Sequence, residues 1–414
     1  MTPAPDAASA WELPLPIIIG GDIGAYSLAR SFHEAWGLTS VVVATVLTGA
    51  IRHSRIVEPR VEPNLADDQA LVAVVREIAK QHEGRPMLLM GSADWYVEAI
   101  VRNRDAWPDV TVPYVDAGTL ERATDKVVFG DSAQRCGVPY PDTTVVDLAR
   151  DLPDLSELPY PVVAKAASTS DFHAVEYAGK AKVFYADSAD QLREILHQAQ
   201  QAQFTGQFLI QRRVRGGDDH MRVATCFVGH DGVEDLVVGR VLVEEHTPGA
   251  LGNPAAIVVE DFPDIEQGMR ALVGELGWSG HANFDVKWDP DTGSHVFFEL
   301  NPRLGRSNYY LSASGTNPTR ALVREHFGVE PPPAAPRTAA VYSILPLPLL
   351  LRYVHDRGTR ARLRRARWRR GIQHPLWYPA DRNVRRWLYV QIAKLNQYRK
   401  FMRFYPPRAA RMVA

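Results

Sequence analysis

The sequence predicts an α/β protein of two or three domains, and three observations carry that prediction. A chain of 414 residues, 46% of them hydrophobic, is longer than one core organises and buries substantial apolar surface. Its opening alternates short apolar runs with helical periodicity, the pattern of a parallel sheet covered by helices. Late in the chain, two alternating runs flank a turn and carry acidic residues at matched positions.

Residues 1 to about 13 look like a disordered leader. Pro16-Ile17-Ile18-Ile19 is a short buried strand that runs into Gly20-Gly21-Asp22-Ile23-Gly24. The following helix has apolar positions at Ala25, Leu28, Ala29, Phe32 and Trp36 and ends at Gly37. Val41-Val42-Val43-Ala44 is the next strand, then come a helix near Ala70 to Lys80 and a strand at Met87-Leu88-Leu89-Met90. The full Gly-x-Gly-x-x-Gly is absent and no acidic residue closes the second strand, so a dinucleotide site is not expected. The helix start at Gly21 and Asp22 is still able to hold an anion, such as a substrate carboxylate.

A second segment begins near Thr119. Leu120 to Lys126 leads into a helix ended by Gly137-Val138-Pro139, and Thr143-Thr144-Val145-Val146 is a strand. Pro161-Val162-Val163-Ala164-Lys165 is a strand ending in a lysine, followed by the small polar loop Ser168-Thr169-Ser170. Phe208-Leu209-Ile210-Gln211 is another strand, and Gly216-Gly217-Asp218-Asp219 turns into Met221 to Val228. Phe284, Val286 and Trp288 alternate with Asp285 and Lys287, and Val296-Phe297-Phe298 is apolar. Asp289-Pro290-Asp291-Thr292-Gly293 joins the two runs as a hairpin. Pairing would set Asp285 beside Glu299, with Asn301 facing the same way. Two carboxylates and an amide oxygen suit Mg²⁺, which relies on substrate phosphates for its other ligands; Mn²⁺ is the other cation such a set accepts.

Bulk properties exclude several classes. Cys136 and Cys226 are the only cysteines, which argues against a disulfide framework and fits a reducing cytoplasm. Met1 to Pro16 has neither a basic start nor an unbroken apolar core, so it does not read as a secretory signal. The run Ile344 to Leu351 is too short and proline-broken to span a bilayer. No Ser-His-Asp or Cys-His nucleophile arrangement stands out, and His220, His246 and His281 are scattered. The net charge of −1 hides an asymmetry, because Leu351 to Ala414 holds 18 Lys and Arg against 2 Asp and Glu. A basic tail on an acidic body suggests a module that meets an anionic partner.

Lys126, Lys165, the Ser168-Thr169-Ser170 loop, Asp218/Asp219, Asp285, Glu299, Asn301 and Arg303, taken in order, resemble the ATP-grasp superfamily over roughly residues 119 to 325. The run Phe-Glu-Leu-Asn-Pro-Arg with its upstream Asp is the most specific piece. The resemblance implies a two-lobed ATP-grasp domain (119–330) after a Rossmann-like pre-ATP-grasp domain (14–118), and the charge asymmetry and helical spacing add a basic, mainly helical C-terminal extension (338–414). It implies that Lys126 and Lys165 contact ATP phosphates and that Gln211, Arg212, Arg213 and Val214 form the adenine-side hinge. Asp218 or Asp219 would hold the ribose, and Asp285, Glu299 and Asn301 the metal. The family more often has Glu at the hinge where Arg212 and Arg213 stand. Arg303 and Arg306 would hold an acyl phosphate or tetrahedral intermediate by bidentate contacts.

Gly-Gly-Asp-Ile-Gly near the start, Gly91-Ser92-Ala93-Asp94, and the run after Arg303 look most like carboxylate–amine ligases of the D-aspartate ligase type. That likeness implies an ATP- and Mg²⁺-dependent reaction joining a small amino-acid carboxylate to an amine acceptor on a peptidoglycan precursor. Ser307, Asn308, Tyr309, Tyr310, Asn253 and Arg240 are then candidates for the acceptor site; for the tyrosines, core packing is the equal alternative. Two other readings stay open: peptide or natural-product ligation on the same fold, and a nucleotide-binding regulator whose basic tail binds a membrane or RNA. In the tail, Val384, Leu388, Ile392, Leu395, Tyr398, Met402 and Tyr405 recur at helical spacing among basic residues. Such a helix docks on the acidic body, lies at a membrane or grips an anionic precursor; nucleic acid is the least expected partner, since no recognised motif accompanies the charge.

Overall fold

The computed structural model describes residues 13–168, 172, 175–333, 336, 338, 340–368 and 371–406. Its first unit is a five-stranded sheet in the order β3-β2-β1-β4-β5, with every pairing parallel. The chain runs β1 (Leu15–Ile19), α1 (Ile23–Trp36), β2 (Ser40–Ala44), β3 (Val57–Val61), α2 (Asp68–Gln81), β4 (Met87–Gly91), α3 (Asp94–Arg102) and β5 (Val110–Thr111). Ile17, Ile18 and Ile19 are wholly buried because helices cover both faces. α1 starts where Asp22 caps the Ala25 amide at 2.9 Å and stops at Gly37, whose φ of 68° lies in the left-handed region. β3 and α3 are additional to the expected elements; the mixed composition of Val57–Val61, with Pro59 inside it, masks an edge strand.

α4 (Ala117–Thr124) and α5 (Lys126–Arg135) lead to a four-stranded antiparallel sheet in the order β6-β9-β7-β8. Its strands are β6 (Thr143–Asp147), β7 (Val162–Ala166), β8 (Phe184–Ala186) and, after α6 (Ala189–Gln201), β9 (Gln207–Arg212). Phe172, Phe184, Phe204 and Phe208 meet edge-to-face or tilted beneath it, with Leu192 and Leu196 of α6.

The largest sheet has seven strands, β14-β13-β10-β11-β12-β15-β16. Its central strands are β10 (Met221–Gly229), β11 (Gly232–Glu244) and β12 (Pro254–Val259); α7 (Pro263–Glu275) then leads to β13 (Gly280–Asp289) and β14 (Ser294–Asn301). α8 (Tyr309–Ala313) and α9 (Thr319–Phe327) pack beside α1. The basic segment is helical as expected, through α10 (Leu347–Tyr353), α11 (Arg357–Trp368) and α12 (Val384–Phe404). It also supplies β15 (Val341–Ser343) and β16 (Ile372–Gln373), which extend the large sheet beyond β12. Asp381 ties this segment to the first unit: its buried carboxylate accepts from Tyr26 Oη at 2.8 Å, Ser54 Oγ at 2.8 Å and the Arg55 amide at 2.5 Å, and lies 2.7 Å from Arg386 Nε.

Candidate active site

β13 and β14 pair with Asp285 opposite Glu299 and Asn283 opposite Asn301. Side chains alternate along a strand, so these four share one face, while Phe284, Val286 and Phe297 pack in a core on the other. The register skips Phe298, a bulge beside the acidic pair. The Asn301 amide nitrogen lies 3.3 Å from Asp285 Oδ2, and its oxygen is 3.4 Å from Arg303 Nη2.

The four-stranded sheet presents its lysine to this face. Along β7, Val162, Ala164 and Ala166 enter the phenylalanine core, so the period of two turns Lys165 outward. Lys165 Nζ stands 6.0 Å from the Phe298 ring centre. Lys126 opens α5, whose N-terminus Asp125 caps through the Val127 and Val128 amides, and Lys126 Nζ donates to the Ala167 carbonyl at 3.3 Å. Lys182, just before β8, is a third cation acting on Glu299 and was not among the expected site residues. The one local cue is a second Lys, two places after Lys180, following a small polar loop.

Charge is concentrated and desolvated here. Burial and the neighbouring Glu299 charge push the Asp285 carboxyl up to about 7. Burial acts on Glu299 in the same direction, but Lys165, Lys182, Lys126 and Arg303 outweigh it and hold that carboxyl below the usual range. Burial takes the Lys165 ammonium down to about 8 against the opposing pull of Glu299. Glu244, at the end of β11, rises to about 8 through burial and the charges of Asp218 and Asp285.

A second cluster lies at the loop after β14. The Arg303 guanidinium meets both carboxylate oxygens of Asp94, at 3.0 and 3.1 Å, in the first turn of α3. Arg306 donates to Glu245, lies 3.4 Å from Asp22, and shares Glu245 with Lys400 of α12 at 4.0 Å. Two glycines allow this loop to come close. A Cβ on Gly24 would sit 3.1 Å from the Arg306 Cα, and one on Gly305 would sit 3.1 Å from Asn283 Oδ1. Glu245 and Lys400 are missing from the sequence expectation because only long-range folding brings Glu245 to Arg306 and Lys400 to Glu245.

Several expectations need correction. The α1 N-terminus is capped by the chain's own Asp22, which therefore supplies the anion expected from a substrate; Gly21 remains beside it, its carbonyl accepting from Thr48. Arg240 stands level with Arg222 and Val286, on the face opposite Asp285, and its guanidinium is committed to Glu260 at 2.8 Å. Tyr309 and Tyr310 are core residues: Tyr309 covers the Arg30 guanidinium at 3.9 Å, and Tyr310 Oη donates to Thr225 Oγ1 at 2.8 Å. Ser307 and Asn308 are also buried, with Asn308 Nδ2 donating to the Gly24 carbonyl at 3.1 Å. Asn253 fastens the β11–β12 loop, its carbonyl accepting from the Glu245 amide at 2.8 Å.

At the hinge, Gln211 is buried and donates to Thr143 Oγ1 at 2.9 Å. The Arg212 side chain turns to Asp289 at 2.5 Å, which explains Arg in place of the more usual Glu: it fixes the β13–β14 turn. Arg213 lies over the Tyr185 ring at 5.1 Å, and the Val214 carbonyl accepts from Lys287 Nζ at 3.0 Å. Asp218 accepts from the Glu244 amide and contacts His246 Nε2, both at 2.9 Å, whereas the more exposed Asp219 contacts His220. Ser168 is described; Thr169 and Ser170 lie outside the described residues.

Comparison with known proteins fits this geometry. No family model matches the chain. It is 26% identical over 412 residues to a D-aspartate ligase of Enterococcus faecium (strain Aus0004), covering 94% of this chain and 96% of that one. An L-amino acid ligase from Bacillus licheniformis superposes with a TM-score of 0.53 at 17% identity, covering 75% of this chain and 74% of its own. An N5-carboxyaminoimidazole ribonucleotide synthetase from Thermus thermophilus gives 0.55 at 19% identity, covering 79% and 82%. The fold expected from sequence is the fold found.

Proposed function

We propose, from the premise that the chain is a member of the ATP-grasp superfamily and of its ATP-dependent carbon–nitrogen ligases, that it joins an amino-acid carboxylate to an amine on a peptidoglycan precursor. The carrying observation is the Asp285–Glu299 pair, faced by Lys165 of the four-stranded sheet, Lys126 of α5 and Lys182 just before β8. The likeness to a D-aspartate ligase over nearly the whole length supports a D-aspartate-like carboxylate. We assign the units 14–118, 119–330 and 338–414, and place the activity in the cytoplasm; among the described residues no helix is long and apolar enough to cross a membrane.

In this reading a carboxylate oxygen attacks the γ-phosphorus of ATP and the bond to ADP breaks, leaving an acyl phosphate. The amine then forms the carbon–nitrogen bond, phosphate leaves with the acyl oxygen, and the amine loses a proton. Lys126, Lys165 and Lys182 offset the phosphate charge as it shifts toward the acceptor. Ser168, Thr169 and Ser170 would contact the ATP, and Gln211 to Val214 would border the adenine. Of the two ribose candidates, Asp219 is the more exposed. Arg303 and Arg306 would exchange Asp94 and Glu245 for the incoming carboxylate and acyl phosphate. Asp285, Glu299 and Asn301 fit Mg²⁺ or Mn²⁺, since two buried carboxylates on one face call for a cation between them. Bound there, the metal would neutralise the phosphate oxygens.

The test is ATP-dependent phosphate release over a panel of amino acids that includes both aspartate enantiomers, with hydroxylamine present to trap acyl phosphate. Hydroxamate formation with D-aspartate, and mass-spectrometric detection of its amide with a precursor peptide, is the expected result. ATP binding without hydroxamate for any acid would favour the regulatory reading. An amide formed only with a second free amino acid would favour peptide ligation.

A further inference from the structure

The tail helix α12 docks through a face other than the one its apolar spacing suggests. Val390 and Phe401 are buried against the body, and Arg386 reaches the buried Asp381. Val384, Leu388, Ile392, Leu395 and Met402 are each more than half exposed. At 100° per residue these five fall in one stripe along the outer side of the helix. Arg385 and Arg403, both exposed, follow one edge of the stripe, and the exposed Arg399 lies just inside that edge. The other edge carries the part-exposed Trp387, with Trp377 nearby beneath Arg382 and Lys394.

We infer that this face is a docking surface for a lipid bilayer bearing anionic headgroups, with the apolar stripe entering the acyl boundary and the arginine edge meeting phosphates. Two features select this occupant. The helix holds six Lys and Arg and no Asp or Glu, so a second copy laid along the same stripe would set like charges against each other. An apolar stripe flanked by arginine and tryptophan matches the bilayer interface, where one side of the helix is dry and the other wet. The inner side of the same helix faces the proposed site: Lys400 lies 4.0 Å from Glu245, and Tyr405 just beyond stacks on His246 at 3.5 Å between ring centres. Docking would hold against the membrane the acceptor side of the site, the half with Arg303, Arg306 and Glu245 where the carboxylate accepts the phosphoryl group. The inference stands on the helix face and does not require the ligase reading.

The experiment is flotation of the full chain with phosphatidylcholine vesicles and with vesicles of equal phosphatidylcholine and phosphatidylglycerol, alongside light scattering for oligomeric state and solution ATP turnover. Binding is expected only to the phosphatidylglycerol vesicles, weakening at high salt, with a blue shift of tryptophan emission. The double substitution Leu388→Glu/Leu395→Glu should lower bound protein at least about tenfold while solution turnover is unchanged. Arg385→Ala/Arg399→Ala/Arg403→Ala should remove the preference for phosphatidylglycerol. Equal flotation of wild type and double variant, or indifference to phosphatidylglycerol, overturns the inference. So does a wild-type dimer that L388E/L395E converts to monomer without any vesicle binding, which would assign the face to a second copy. Turnover lost with flotation intact in Glu299→Gln would separate the ligase reading from this one.

Discussion

The two halves of the proposed site match their charges differently. On the phosphate side, Asp285 and Glu299 are forced together with three lysines, and burial pulls Asp285 and Lys165 toward their neutral forms. On the acceptor side, Arg303 and Arg306 are already matched by Asp94, Asp22 and Glu245. The first half is an arrangement that a polyanion and a cation would relax. The second is closed on itself, so a substrate must compete with internal partners. Binding on one side relieves desolvated charge, and on the other exchanges one ion pair for another.

The largest effect should come from breaking the phosphate side. Glu299→Gln or Lys165→Ala should lower turnover by at least about a thousandfold with the circular dichroism spectrum kept. Asp285→Asn should lose turnover to a similar degree yet raise the melting temperature of the ligand-free protein, because it removes a buried like-charge neighbour. Wild-type turnover in any of these would remove the proposed site. On the acceptor side stability should move the other way. Glu245→Gln leaves the Arg306 guanidinium poorly matched, so stability should fall by roughly 1–3 kcal/mol in urea titration, with KM for the carboxylate altered more than kcat.

Acidification should sharpen the same contrast. The acceptor side leans on the C-terminal segment, where burial holds His374 neutral, with its pKa down to about 3. The unfolded chain takes up that proton first, near 6.5, so the contribution is full above that value and is lost as pH falls toward the folded one. From pH 6.5 to 5 the loss is up to roughly 2 kcal/mol, and His374→Gln should flatten the melting profile over that range. The smallest effect is expected from Asp22→Ala, about 1 kcal/mol for the lost α1 cap, measured by thermal melt with the Arg306–Glu245 contact intact.

What was legible in the sequence followed from local periodicity. A two-residue alternation and a Pro-Asp-Thr-Gly turn put Asp285 beside Glu299, whereas the direction in which Lys165 faces emerges only with the core beneath β7. The resemblance, carried by the motif after Phe297, supplied the order in which these pieces belong. Arg240 was misplaced because its face depends on register passed from β13 through β10 to β11, which no local pattern encodes. Tyr309 and Tyr310 follow a site motif but are consumed by α1 and the sheet, a contact set by α1 residues some 280 positions earlier. Lys182, Glu245 and Lys400 were missed for the same reason. The stripe of α12 was visible, but which side would dock was not, since the buried Arg386 chose the side and its partner Asp381 is itself placed by Tyr26 and Ser54.

That Asp381 junction bears on how the molecule is made. Tyr26 waits 355 residues for the carboxylate its hydroxyl meets in the finished structure. While the ribosome is still at work, the Arg30 guanidinium likewise lacks the Pro375 and Trp377 carbonyls that receive it. The opening sheet therefore emerges with one helix flank unsealed, and it stays so until the segment around Asp381 has been made. A nascent chain arrested before Asp381 should be a better client for chaperones and proteases than its early, locally paired strands would suggest.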